Sequence, residues 1–139
     1  MAYKTLMTVV TDPAVAKASL EQGIAMAGAA DAHLEVACFG VDRTQTGYYY
    51  AGANAMILQE TLARAQKDAE AAAEHVRGVL GNSDIRWNVE TGVAQLADIG
   101  RSVAAHARFS DVTILPKPYG EGHGAELEPI IEGALFDGR

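Results

Sequence analysis

The chain alternates short apolar runs with longer amphipathic stretches, and this alternation limits the folds open to it. Runs that are typical of strands occur at Thr5–Val10, Leu34–Val41, Ile85–Glu90 and Asp111–Pro116. Stretches with helical apolar spacing separate these runs and follow the last one. Strands that alternate with helices pair in parallel through right-handed crossovers. The sequence therefore predicts an α/β fold with an open, doubly wound, mostly parallel sheet in the order β-α-β-α-β-α-β-α.

The first helix has a clear start signal. Asp12 suits an N-cap, and Pro13 follows at the first helical position, where its missing N–H is not needed. We expect this helix to run to about Ala30. A second, long helix is expected over Asn54–Leu80, because apolar residues recur there three and four positions apart. These residues are Leu58, Leu62, Ala65, Ala69, Ala72, Val76 and Leu80.

Two further helices complete the pattern. One is expected over about Gln95–Ala107, with Ile99 and Val103 on its apolar side. The last follows the loop after the fourth strand, and Pro129 is tolerable only in its first turn. Its apolar residues are Leu127, Ile130, Ile131 and Leu135.

Charge and cysteine content exclude several classes of protein. The formal net charge is −7, so nucleic acid phosphates and anionic membranes exert no bulk attraction on the chain. Cys38 is the only cysteine; this excludes an internal disulfide, and its apolar surroundings predict a buried, unreactive thiol. The first residues, MAYKTLMTVVTD, contain no apolar segment of signal or anchor length. We expect a cytoplasmic protein that binds neither nucleic acid nor membrane.

Candidate ligand-binding positions follow from the sheet. Open parallel sheets bind ligands beyond the carboxyl ends of their strands. The loops expected there are Thr11–Pro13, Val41–Ala53, Thr91–Ala94 and Lys117–Gly124.

Four segments in this order resemble the universal stress protein family. "KTLMTVVTDPAVAKASLEQGIAMA" resembles the family's first strand, Asp-bearing loop and first helix. The second strand and long second helix match in length and order. "VETGVAQLADIGRSVAAHARFSDVTIL" resembles the third strand, Gly turn, third helix and fourth strand. The resemblance covers nearly the whole chain, so it implies one domain over residues 1–139 with the adenine nucleotide alpha hydrolase-like fold of universal stress proteins.

The resemblance also implies positions for an adenine nucleotide. Family members that bind ATP use an Asp after the first strand and the backbone at the end of the second. A Gly-rich loop after the fourth strand, closed by a Gly and a Ser or Thr, holds the phosphates. By this resemblance the nucleotide positions here are Thr11, Asp12, Val41 and Leu115, with Gly133 as the last glycine.

The phosphate loop departs from the family pattern. Pro116 stands at the first expected glycine and has no N–H to offer an anion, and Ala134 replaces the hydroxyl residue. The second glycine is one of Gly120, Gly122 and Gly124, none with both spacings intact. We interpret the loop as degenerate, in a non-catalytic, stress-associated domain that acts through association. The alternative is an ATP- or AMP-binding member that uses Asp12, the end of strand two and the 116–134 loop. A minor third hypothesis is an unrelated doubly wound enzyme.

The remaining residues with nucleophilic or metal-ligating side chains do not form the pattern of a catalytic or metal site. The serines have no nucleophile context, and the histidines show no metal-ligand spacing with Cys38, so the sequence predicts neither kind of site. Tyr48, Tyr49 and Tyr50 stand together in a Gly-bearing loop, which is typical of a partner or ligand surface. The alternative is packing against the domain's own edge.

The apolar pattern ends before a fifth strand. Family domains continue after the fourth helix into another apolar run, whereas Phe136 is followed only by Asp137-Gly138-Arg139. We expect a domain truncated at its C-terminus, from a longer chain with two such domains in tandem, or one whose open sheet edge a neighbouring molecule covers. Either case predicts association, as a homodimer or with a second like domain.

Overall fold

The computed structural model describes residues 4–42, 53–95, 98–116 and 127–137. Strands β1 to β4 are Thr5–Val10, His33–Asp42, Arg86–Gln95 and Val112–Ile114. Helices α1 to α4 are Pro13–Ala30, Ala53–Leu80, Ile99–Ala107 and Leu127–Glu132, and a π-helical segment, Gly133–Asp137, continues α4. Within the described ranges, no helix is both long enough and apolar enough to cross a membrane.

The four strands form one parallel sheet in the order β3-β2-β1-β4. β1 lies inside the sheet and pairs Thr5 with His33 of β2 and Leu6 with Val112 of β4. This confirms the predicted doubly wound α/β fold. The described residues contain no strand beyond β4, which agrees with the expected absence of a fifth strand.

Two apolar clusters cover the two faces of the sheet. On one face, Leu34, Val36 and Cys38 of β2 pack against α1 and α2. On the other, Ala37 and Phe39 pack against α3 and α4. Successive strand residues point to opposite faces, so one buried strand supplies both clusters.

Cys38 is fully buried in the cluster under α1 and α2. Burial raises the pKa of its thiol to about 11, against a smaller lowering by the charge of Arg77. The thiol is therefore protonated at neutral pH, and the predicted burial is confirmed.

The apolar stripe of α2 is confirmed over its second half. Ala65, Ala69, Val76 and Leu80 are buried, as is Ala72. Leu62, however, is 45% exposed, so its predicted burial is wrong. Twenty-eight helical residues span about 42 Å, whereas the ten residues of β2 span about 33 Å, so α2 is longer than the strand it covers. The side chain of Leu58 lies outside the described part of the structure.

The third strand is longer than the sequence predicts. β3 continues through Gln95, so the loop expected at Thr91–Ala94 is wrong. Those residues pair in register with β2, where Thr91 lies opposite Cys38. Gly92 lies against the ring of Phe39, which explains a glycine inside a strand.

The remaining elements differ from the prediction mainly at their ends. α3 begins at Ile99 rather than near Gln95, and β4 covers only Val112–Ile114. Pro129 lies in the first turn of α4, as predicted, and Ile130 is buried. Leu135 is 56% exposed and does not join the core, because the chain is π-helical from Gly133 on and no longer follows the α-helical period.

Asp111 connects the start of β4 to the start of β1. Its Oδ2 accepts hydrogen bonds from the backbone N–H of Lys4 at 2.8 Å and of Thr5 at 3.0 Å. The bond from Thr5, followed by the bond from Lys4, lowers the pKa of this carboxyl below its ordinary value. A lowered folded-state pKa means that the stabilisation is complete above the unfolded pKa, about 3.9, and is lost as pH falls through the folded value.

We expect Asp111→Asn to lower stability near neutral pH and to flatten the acid limb of the stability curve. Asparagine presents one carbonyl oxygen without charge, so it cannot reproduce the pH-dependent bonds. Urea unfolding at about pH 6 and about pH 3 measures this, and the two proteins should differ less at the lower pH. An equal difference at both values would contradict the role given to the ionised carboxylate.

Candidate functional site

The carboxyl edge of the sheet brings several of the predicted site residues together. Thr11 and Asp12 follow β1, Val41 lies near the end of β2, and Leu115 follows β4. The three strands are parallel neighbours, so these ends meet at one edge. The structure thus places the three described segments of the predicted site side by side.

Asp12 is the N-cap of α1. Its backbone is extended, and Oδ1 accepts a hydrogen bond from the N–H of Ala14 at 3.0 Å. Its carbonyl oxygen accepts the N–H groups of Val15 and Ala16. The predicted cap is therefore confirmed, and this carboxylate already holds the helix in place.

Val41 and Leu115 contribute to the core. Both side chains are partly buried and pack against the cluster under α3 and α4. Any contact that these two residues make with a ligand would therefore involve their backbone atoms.

Asp42 is a polar residue at this edge, and the sequence predicts it in the loop after the second strand. It is instead the last residue of β2, lies opposite Gln95 and is 1% exposed. Burying a carboxylate is costly unless other groups compensate for the lost water. The sequence feature that could have indicated it is its position directly after the apolar run Val36–Val41.

Gly133 lies where α3 and the end of α4 cross. A Cβ on Gly133 would lie 2.6 Å from the Cα of Gly100, and one on Gly100 would lie 2.8 Å from the carbonyl oxygen of Pro129. The two backbones are therefore in direct contact. Ala134 packs beside them against the same apolar cluster.

The other predicted site residues lie outside the described residues. These are Gly120, Gly122 and Gly124 of the phosphate loop, and Tyr48, Tyr49 and Tyr50 of the aromatic loop. Their assignments stay predictions.

A separate polar cluster lies on the sheet face that α3 covers. Nδ1 of His106 is 3.0 Å from Oε1 of Glu35 and 3.6 Å from Oε2 of Glu90. The histidines show no metal-ligand spacing in the sequence, which therefore did not predict this group. The sequence feature that could have indicated this cluster is Glu35, a charged residue inside an apolar strand.

A cleft of about 440 Å³ lies between α1 and α2, close to the end of β1. Its lining is apolar apart from Lys17, Glu21 and His75. Val10 and Pro13, which are close to Asp12 in the chain, line this cleft, but none of the predicted nucleotide residues does.

Comparisons with known proteins inform the fold. A scan against protein-family models found no match, and neither did a search of curated protein sequences. The universal stress protein UspA from Lactobacillus plantarum matches with a TM-score of 0.72 at 16% identity, over 96% of this chain and 94% of that one. Protein Rv1636 from Mycobacterium tuberculosis H37Rv matches with a TM-score of 0.40 at 18% identity, over 84% of this chain and 72% of that one. The first match shows that this chain has the UspA fold, which the resemblance in sequence implied.

Proposed function

We propose that this chain, which has the UspA fold, is a non-catalytic universal stress protein-like domain with a degenerate nucleotide loop. It acts through self-association or by binding a partner, in the cytoplasm. The likeness to UspA supports the stress-protein assignment. A single buried free thiol is compatible with a reducing compartment.

The contact between Gly133 and Gly100 carries the proposal of a degenerate loop. Gly133 is the one glycine that keeps its place in the phosphate pattern, and its lack of a side chain already serves the crossing of two helices. A packing requirement therefore accounts for this glycine without a bound phosphate.

The other described positions support the same interpretation. Asp12 caps α1 through Oδ1, Pro116 has no N–H to donate to a phosphate, and Ala134 has no hydroxyl. Each of these described positions thus either serves the fold or lacks the donor that a phosphate needs.

An open sheet edge supports association. Within the described residues, β4 pairs only with β1, so its other side is an edge that a second molecule can cover. Phe109, just before β4, is 83% exposed. A second copy of the domain would bury both features.

We expect the unfolding temperature of the purified chain to be the same with and without millimolar ATP and magnesium. Ligand binding to the folded state would raise stability by about 2.7 kcal/mol at 100 times the dissociation constant, so calorimetry detects even moderate affinity. Inorganic triphosphate is the matched control. A rise with ATP that triphosphate does not reproduce would overturn the degenerate loop and favour the ATP- or AMP-binding alternative.

Self-association of the domain is tested by a separate measurement of its mass in solution. Sedimentation equilibrium of the same preparation is expected to give the mass of a dimer. A monomer at every concentration tested would contradict self-association. Binding to a different partner would then be the remaining mode of action.

A further inference from the structure

Three side chains from separate elements meet on the sheet face beside α3. Glu35 comes from β2, Glu90 from β3 and His106 from the end of α3. One ligand atom from each lies within 4.8 Å of the other two. We refer to these residues as the Glu35–Glu90–His106 cluster.

The cluster is held by rigid neighbours. Its two carboxylates stand on adjacent, hydrogen-bonded strands, where Glu35 lies opposite Asn88 and Glu90 lies opposite Ala37. The ring of Phe39 meets the His106 ring edge to face, at 5.8 Å between centroids. Groups fixed by a sheet and an aromatic contact lose little freedom when they bind an ion.

The exposure of the three side chains is graded. Glu35 is 16% exposed, His106 27% and Glu90 53%. The ring of His106 contacts Phe39 of the apolar cluster under α3 and α4, while the carboxylate of Glu90 is more than half exposed to water. An ion could enter from the side of Glu90 and keep a water molecule there.

The two separations that involve His106 are close to those of ligands around a small tetrahedral ion. Ligand atoms at about 2.0–2.2 Å from such an ion lie about 3.3–3.6 Å from one another. The distances from His106 Nδ1 to the two carboxylate oxygens, 3.0 and 3.6 Å, lie within a few tenths of an ångström of this range. Side-chain rotation alone can close the difference.

Charge and ligand type point to the class of ion. Two carboxylates with a neutral imidazole carry a charge of −2, which a divalent cation would neutralise. Imidazole nitrogen suits zinc and its transition-metal neighbours, whereas magnesium and calcium prefer all-oxygen sites. Three protein ligands plus water is also the composition of an open zinc site.

We propose that the Glu35–Glu90–His106 cluster binds a divalent transition-metal ion of the zinc class. His106 provides Nδ1, Glu35 and Glu90 provide one oxygen each, and water completes the coordination. The site lies on the sheet face rather than at its carboxyl edge, so it is independent of the nucleotide question.

Titration calorimetry with a zinc salt alone tests the proposal. We expect one zinc ion per chain to be bound through the cluster, and the Glu35→Gln/Glu90→Gln double variant to bind at least about 100-fold more weakly. Glutamine keeps the size and shape of each side chain while removing its charge. The matched control is His75→Asn on α2, which leaves the cluster intact and should retain wild-type affinity.

A second measurement needs no variant. Zinc added to the wild-type chain should shift the assigned NMR signals of the His106 ring at one equivalent, before those of the other histidines. Absence of binding at millimolar zinc, affinity unchanged in the double variant, or a first shift at another histidine would each overturn the site. In those cases the three groups form only a hydrogen-bonded ion-pair cluster.

Discussion

Replacing Gly40 with alanine is expected to destabilise the domain by about 3 kcal/mol or more, at the upper end of what overpacking causes. Gly40 is buried in β2 beneath α2, and a Cβ there would overlap the carbonyl group of Ala65. The overlapping atoms belong to the backbone of a long helix, so no side chain can rotate away. Either α2 separates from the sheet, or the end of β2 is displaced.

Urea unfolding of the wild-type and Gly40→Ala proteins measures the effect. Gly78→Ala is the matched control, because Gly78 is exposed on α2 and a Cβ there would have no atom within 4 Å. Alanine in that helical position should stabilise by about 0.5–1 kcal/mol. A Gly40→Ala protein with wild-type stability would show that α2 does not approach β2 this closely.

The second large effect is expected for Gly133→Ala, which should destabilise the protein by about 1–3 kcal/mol. The added methyl group would press on the backbone of Gly100, with its Cα at 2.6 Å, and would separate the end of α4 from α3. Ile130 is buried beside this crossing and would lose part of its packing.

The same unfolding measurement applies, with Gly28→Ala as the control. A Cβ on Gly28 would make an ordinary contact at 3.7 Å with Ile85, so that variant should not lose stability. If Gly133→Ala is as stable as wild type, packing does not explain this glycine, and the main argument for a degenerate phosphate loop is lost.

The order of the elements could be predicted because burial leaves a readable pattern. Strands covered on both faces by helices become nearly continuous apolar runs, and Thr5–Val10 and, apart from Glu35, Leu34–Val41 are of this kind. The start of α1 was equally predictable from the sequence, since Asp12 and Pro13 act through local backbone geometry alone.

Element ends and individual burial were harder to predict because they depend on neighbours. The segment Thr91–Ala94 has turn-like composition, yet pairing with β2 keeps it extended. Leu62 fits the apolar period of α2 but is 45% exposed in the structure. Neither outcome can be derived from local spacing.

Of the two candidate sites, one could be predicted from the sequence and the other could not. The carboxyl edge of the sheet could be located from strand order, because parallel strands must end together. The Glu35–Glu90–His106 cluster could not, since His106 lies 71 positions from Glu35 and only the packing of α3 on the sheet brings them within 3.0 Å. Metal-ligand spacing is visible in a sequence only when the ligands share one local element.

The sequence by itself determined the α/β class, the parallel sheet, the cap of α1 and the burial of Cys38. All four follow from the period of apolar residues or from local backbone chemistry. Tertiary structure alone decided that Gly40 meets Ala65, that Gly133 meets Gly100, and that two glutamates meet a histidine. These contacts join residues distant in the chain, and their distances depend on how the helices rest on the sheet.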